Sequence, residues 1–334
     1  MAKVGILGTG TWGTALGTLL SNNGHSVRMW SPVPGEIETL ESKRVHPNLP
    51  GTQIPKNIVF STDVQSVINS AEVVVFAVPS VFMRSTAEKA VHFIDNSQTV
   101  VTVVKGIESG TLFTMSEILE DVFIPERKRP AIVALSGPTH AEEVAVCLPT
   151  AIVAASGNPI AAEQVRNIFS TNYFKVYVNG DTRGCELCGA LKNIIALACG
   201  ISSGLGYGDN AKAAIMVRGL AEITALGTRM GCTEQTFSGL AGIGDLIVTA
   251  TSEHSRNNRA GRLLGQGMAP ADVLKKVGMV VEGINALPAT MQLMEKFGME
   301  LPIIRAVNSV VNEGAHPQDV IQSIMLDPRK LERS

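Results

Sequence analysis

The chain carries no block of basic residues. Its 28 lysines and arginines are balanced by 30 aspartates and glutamates, for a formal net charge of −2. A surface that tracks a nucleic acid backbone needs clustered cations, so no nucleic acid partner is expected. An anionic ligand must instead be met locally by a few lysines and arginines. No apolar run approaches the ~20 residues that span a bilayer, so no stable membrane insertion is expected either. Lys3 and the mostly uncharged stretch to Leu20 imitate a signal peptide. Strand-like residues and phosphate-loop glycine spacing within that stretch mark it as mature structure, which predicts a cytoplasmic protein. Cysteine is scarce and odd in number: Cys147, Cys185, Cys188, Cys199 and Cys232. That argues against a disulfide framework. Cys185 and Cys188 form a C-x-x-C, but no further ligands stand nearby, so no metal is expected. They read as small apolar packing residues on one helix face. Internal repeats, low-complexity tracts and linkers are missing as well.

Hydrophobic residues make up 45% of the 334, enough for a large packed core, and the length suggests two domains. Lys3-Val4-Gly5-Ile6-Leu7 reads as a buried strand, and Gly8, Gly10 and Gly13 follow it with G-x-G-x-x-G spacing. In such a loop one glycine makes the tight turn, one lets backbone approach a pyrophosphate, and one lets helix pack on strand. The helix that continues through Leu20 offers its N-terminal N–H groups to phosphate. A second strand, Ser26-Val27-Arg28-Met29-Trp30, completes the context for dinucleotide binding.

Further strands are expected over 72–78, 99–104, 131–135, 150–154 and 174–178. These runs are rich in valine or isoleucine, as strands buried on both faces are, which predicts a mostly parallel sheet covered by helices. Several end in turn residues, at Pro79-Ser80, Lys105-Gly106 and Ser136-Gly137-Pro138. Ligands sit outside the carboxyl ends of strands in such sheets. From Cys185 onward the apolar spacing becomes helical. A glycine-rich loop is expected from Gly200 to Gly208. A long helix capped by Asn210 should run to about Met230 and stop at Gly231, with others over 257–266, 270–277, 283–297, 303–313 and 317–326. The fold expected is α/β: a Rossmann-like, mostly parallel sheet domain over 1–185, then an all-α domain over 186–334.

Four clusters can carry chemistry. Lys105 leaves a buried strand. Ser136-Gly137-Pro138-Thr139-His140-Ala141-Glu142-Glu143 leads from a strand into a helix, and reads equally as a capped helix start. Lys192 sits among buried helical residues, where a lysine is costly unless paired or functional. A depressed pKa would let it exchange protons near neutrality. Finally, Gly242-Ile243-Gly244-Asp245-Leu246 is followed by Ser255-Arg256-Asn257. That triplet can hold a phosphate, or supply a cap and a surface arginine.

In order and spacing these motifs resemble the bacterial-type NAD(P)-dependent glycerol-3-phosphate dehydrogenases over essentially the whole chain. The resemblance extends through Leu191-Lys192-Asn193, Gly208-Asp209-Asn210-Ala211 and Val280-Val281-Glu282-Gly283. It implies reversible oxidation of sn-glycerol 3-phosphate to dihydroxyacetone phosphate, serving glycerophospholipid synthesis. Lys192 would accept the C2 hydroxyl proton, and Lys105 and Asp245 would be catalytic with it. Gly137, Thr139, Ser255, Arg256 and Asn257 would join those three in binding the phosphorylated substrate. The cofactor, NAD(P)H, would meet Gly8, Gly10, Thr11, Trp12, Gly13, Lys105, Ala141, Arg256, Val280 and Glu282. The first domain would bind NAD(P) and the second would be the substrate-binding and catalytic one, in a homodimer. A carboxylate-specific dehydrogenase would not need Ser255-Arg256-Asn257, and a non-catalytic sensor would not need Lys105, Lys192 and Asp245 together. One place departs from the family. Ser31-Pro32-Val33-Pro34 follows the second strand, with neither the basic residue that meets an NADP 2′-phosphate nor an early acid, since Glu36 comes late. NADH and NADPH are therefore both expected to serve, with kcat/KM values within roughly a hundredfold.

Overall fold

In the computed structural model, which describes residues 1–320, the valine-rich runs form one eight-stranded sheet. Its strands are β1 (Lys3–Leu7), β2 (Ser26–Trp30), β3 (Val59–Ser61), β4 (Val73–Phe76), β5 (Thr99–Thr102), β6 (Ala131–Ser136), β7 (Thr150–Ala155) and β8 (Phe174–Asn179). Their order is β3-β2-β1-β4-β5-β6-β7-β8. The first six run parallel, and β7 turns back antiparallel on β6, with Leu135 opposite Ala154. β8 pairs parallel with β7. At three residues on the sheet edge, β3 is too short for the pattern to announce it.

Alternation explains why both faces must be covered. Ile6, Val75, Val101, Val133 and Ile152 point to one side, under Leu16, Leu20 and Phe169. Leu7, Val74, Phe76 and Val100 point to the other, under Met83, Ile118 and Leu119. The covering helices are α1 (Thr11–Asn22), α2 (Pro34–Lys43), α3 (Val64–Ile68), α4 (Met83–Ala90), α5 (Met115–Phe123), α6 (Ala141–Ala145) and α7 (Pro159–Phe169). Together with the sheet they make one unit, residues 1–105 and 113–183.

The second unit comprises 106–112 and the chain from Gly184 onward. Its helices are α8 (Thr182–Gly204), α9 (Asp209–Arg229), α10 (Glu234–Phe237), α11 (Asp245–Thr251), α12 (Arg256–Gly265), α13 (Pro270–Val277), α14 (Glu282–Phe297) and α15 (Pro302–Asn312). Residues 317–320 are helical, and the rest of the helix expected over 317–326 lies outside the described residues. The absence of any span long enough for a membrane needs correction. By length and composition α8 qualifies, but its apolar window is entirely buried in the protein. A helix apolar on every side is a core helix when others surround it, and α8 buries Leu187, Leu191, Ile194, Ile195 and Leu197 in the core of this unit.

Two further expectations change. Asn210 lies inside α9, whose N-cap is Gly208. Gly200 and Gly204 belong to α8 rather than to a loop. They face Gly261 and Gly265 of α12 so closely that a Cβ on Gly200 would lie 2.2 Å from the Asn258 carbonyl oxygen. One on Gly261 would lie 2.2 Å from the Leu197 carbonyl oxygen. Alanine gains ~1 kcal/mol over glycine in a helix, whereas overpacking costs ~1–3 kcal/mol or more. Overlap with backbone, which cannot rotate away, should win. Gly261→Ala is therefore expected to lower the thermal unfolding midpoint, and an unchanged or raised midpoint would contradict so close a crossing.

Candidate active site

In the first unit the strand order reverses between β1 and β4, and the glycine loop leaves β1 at that point. Gly8 has a φ of +126°, and a Cβ there would lie 2.5 Å from the Ala77 carbonyl oxygen just past β4. A Cβ on Gly13 would lie 2.4 Å from the Gly8 carbonyl oxygen. Gly10 is different, because a Cβ there would meet nothing within 4 Å. It caps α1 with no side chain, and no acidic residue stands in the first turn. The result is a helix N-terminus with clear space before it, which fits the pyrophosphate of a dinucleotide. Thr11 accepts a hydrogen bond from Asn48 Nδ2 at 3.4 Å. Trp12 packs with Leu49, Ala15 and Ala141, which brings Ala141 beside the loop.

Lys105 follows β5, half-buried, and its Nζ donates to the Gly137 carbonyl oxygen at 3.0 Å. Thr139 Oγ1 donates to the same oxygen at 3.1 Å. Gly137 has a φ of +149°. These three residues thus share one corner at the carboxyl edge of β5 and β6. Glu36 comes late in the chain yet reaches the end of β2: from the first turn of α2 its Oε2 accepts from Thr9 Oγ1 at 2.9 Å and Ser31 Oγ at 2.7 Å.

In the second unit Lys192 is 5% exposed, Asp245 1% and Thr249 6%. Lys192 Nζ donates to Asp245 Oδ1 at 2.8 Å and to Thr249 Oγ1. The carboxylate is the partner that a buried lysine requires, and it stabilises the ammonium form. Asp245 is delivered by a π-helical turn over Leu240–Gly244 that runs directly into α11. Gly242 permits the turn, since a Cβ there would lie 2.0 Å from the Phe237 carbonyl oxygen. Thr249 escaped the sequence analysis. Its position four residues after Asp245, on the same helix face, was the available signal.

Ser255 and Arg256 stand at the head of α12. The Ser255 hydroxyl accepts from the Asn258 N–H at 3.2 Å, as an N-cap does. Arg256 is exposed and makes no hydrogen bond or ion pair with any described residue. Asn257 points the other way and is buried. It donates to Asn193 Oδ1 at 2.9 Å and accepts from the Gly283 N–H at 2.8 Å. This bridge fixes the start of α14, where Val280 and Glu282 lie, against the turn of α8 that carries Lys192. Cys185 and Cys188 are buried. No group of three or more metal-ligating side chains occurs among the described residues.

Two family models match the chain: "NAD-dependent glycerol-3-phosphate dehydrogenase N-terminus" over residues 3–162 and "NAD-dependent glycerol-3-phosphate dehydrogenase C-terminus" over 181–322. The chain is 51% identical over 334 residues to glycerol-3-phosphate dehydrogenase (NAD(P)+) 2 of Lactobacillus delbrueckii subsp. bulgaricus, covering 99% of each. It is 47% identical over 328 residues to the Bacillus subtilis (strain 168) enzyme of that type, covering 97% of this chain and 94% of the relative. Among solved structures, glycerol-3-phosphate dehydrogenase from Coxiella burnetii superposes with a TM-score of 0.93 at 32% identity, covering 97% of this chain and 99% of that one.

Proposed function

The chain belongs to the NAD-dependent glycerol-3-phosphate dehydrogenase family, and we propose that Lys192 carries the proton in its reaction. The enzyme transfers a hydride reversibly between NAD(P) and sn-glycerol 3-phosphate or dihydroxyacetone phosphate. The nicotinamide, when bound, supplies the hydride chemistry. In the oxidising direction the C2 hydroxyl proton passes to the Lys192 amine as the carbonyl forms. In the reducing direction the Lys192 ammonium returns that proton to the C2 oxygen. Asp245 and Thr249 hold Nζ in place and stabilise its charge. The observation that carries this reading is the buried Lys192–Asp245 pair, because a buried ion pair is a poor source of stability and a good means of placing a proton donor.

The remaining roles divide by unit. Gly8, Gly10, Thr11, Trp12, Gly13 and Ala141 hold the dinucleotide, with Val280 and Glu282 as further contacts. Lys105, Gly137 and Thr139 orient the substrate, and Lys105 also meets the cofactor. Ser255 and Arg256 bind the phosphate, and Arg256 has donors left for the cofactor. Asn257 acts chiefly as a positioning residue through its bonds to Asn193 and Gly283. The family resemblance further supports a cytoplasmic homodimer that provides glycerol 3-phosphate for glycerophospholipid synthesis. The purified protein should oxidise NADH or NADPH only when dihydroxyacetone phosphate is added, followed by absorbance. Failure with both dinucleotides would overturn the assignment.

A further inference from the structure

We propose that Glu36 makes this enzyme select NADH over NADPH, by presenting a fixed carboxylate to the adenosine ribose of the dinucleotide. In this fold the ribose hydroxyls are met by an acidic residue about 20 residues past the glycine loop, at the end of the second strand. The chain has no acid at the end of β2 itself, and Glu36 reaches that place from α2.

The Gly8 N–H donates to the Trp30 carbonyl oxygen at 2.9 Å, which ties the glycine loop to the end of β2. Glu36 spans the same two segments. One of its oxygens, Oε2, takes the Thr9 hydroxyl from inside the loop and the Ser31 hydroxyl from just past β2. Both donors are buried, at 5% and 2% exposure, while Glu36 itself is exposed. The Ser31 oxygen already accepts the Val33 N–H at 3.2 Å, which directs its proton to the carboxylate. The other carboxylate oxygen, Oε1, accepts no hydrogen bond from any described residue, so it is available to a ligand hydroxyl.

Among the described residues Glu36 makes no ion pair. Arg28 donates to the Ser66 carbonyl oxygen, and Arg44 donates to those of Pro55 and Ile58 while lying over the Phe60 ring. Lys43 stands about two turns, ~10 Å, farther along α2. His46 lies close enough to feel the Glu36 charge. Burial lowers its pKa, against the opposing pull of Glu36 and a backbone hydrogen bond at Thr9. Pro32, Val33 and Pro34 offer no side-chain donor. A ribose diol gains a charge-assisted hydrogen bond from this surface, whereas a 2′-phosphate dianion meets the Glu36 carboxylate, which no lysine or arginine among the described residues pairs.

The inference rests on the glycine loop holding the dinucleotide, and the test separates the two. Dissociation constants for NADH and NADPH are measured by calorimetry on the intact enzyme without substrate. The wild type should bind NADH at least tenfold tighter. Glu36→Gln keeps an oxygen for both hydroxyls but removes the charge, and should narrow the ratio at least fivefold, chiefly by strengthening NADPH. Ser31→Ala frees one tether and should narrow it less. Equal affinities in the wild type, or a Glu36→Gln variant that shifts both cofactors alike, would overturn the proposal. The second result would leave Glu36 as a mere tie between α2 and the loop. If neither dinucleotide binds, the glycine-loop reading falls and the proposal with it. If the ratio behaves as stated while dihydroxyacetone phosphate is not reduced, the dehydrogenase assignment falls and the selection by Glu36 stands.

Discussion

Replacing Lys192 with alanine should lower kcat by about 10²–10⁴-fold, the range of a lost general acid–base group, and leave NADH affinity intact. The split follows from location. Lys192 lies midway along α8, in the core of the helical unit, with its amine on Asp245 and Thr249. The glycine loop belongs to the other unit. Stability must be followed in parallel, because removing one partner of a buried ion pair leaves an uncompensated charge and costs about 3–5 kcal/mol. Asp245→Asn makes the complementary test, since it removes the charge while keeping an oxygen for Nζ. It too leaves a buried charge without its counter-charge, so its stability is followed as well, and it should lose kcat, with KM less affected. A folded Lys192→Ala variant with near-normal kcat would remove Lys192 from the proton path.

What was legible in the sequence was local. The glycine loop, its strand and its helix are adjacent in the chain, and Gly8 and Gly13 are required by the backbone next to β4 and by the loop itself, while Gly10 leaves open space at the head of α1. Apolar runs announced seven of the strands for the same reason. The failures are nonlocal. Gly200 and Gly204 suggested a loop because helix-interior glycine is costly when nothing touches it. Here α12 approaches through Gly261 and Gly265, and only glycine on both sides allows it. The apolar content of α8 depends on what surrounds the helix, which composition does not report. Glu36 was discounted by counting residues along the chain, although the turn into α2 returns it to Ser31 and Thr9. Lys192 posed its own question, a buried cation needing a partner, but the answer lay 53 residues away in Asp245. The pairing of Asn257 with Asn193 and Gly283 turned it inward, a direction that the succession Ser255-Arg256-Asn257 cannot reveal.

Arg256 should decide recognition of the phosphate. Glycerol 3-phosphate has little apolar surface, so charge and hydrogen bonds must provide most of its orientation. The Arg256 guanidinium is exposed at the head of α12 and bonds to no described residue, so its donors are uncommitted. Its planar fork can give a phosphate two parallel bonds, and the helix N-terminus adds its dipole. Lysine would keep the charge and lose the fork. Arg256→Lys is therefore expected to lower kcat/KM for dihydroxyacetone phosphate by roughly 10–100-fold, the worth of about one or two charge-assisted hydrogen bonds. Arg256→Ala should do more damage. Unphosphorylated dihydroxyacetone supplies the control. It should be a very poor substrate of the wild type, and neither variant should lose much more with it, because the missing phosphate already forfeits what Arg256 contributes. Comparing each variant with each substrate isolates the arginine–phosphate term, as a double-mutant cycle does. If Arg256→Ala harms both substrates equally, Arg256 serves the cofactor or the fold, and the phosphate is held by other residues.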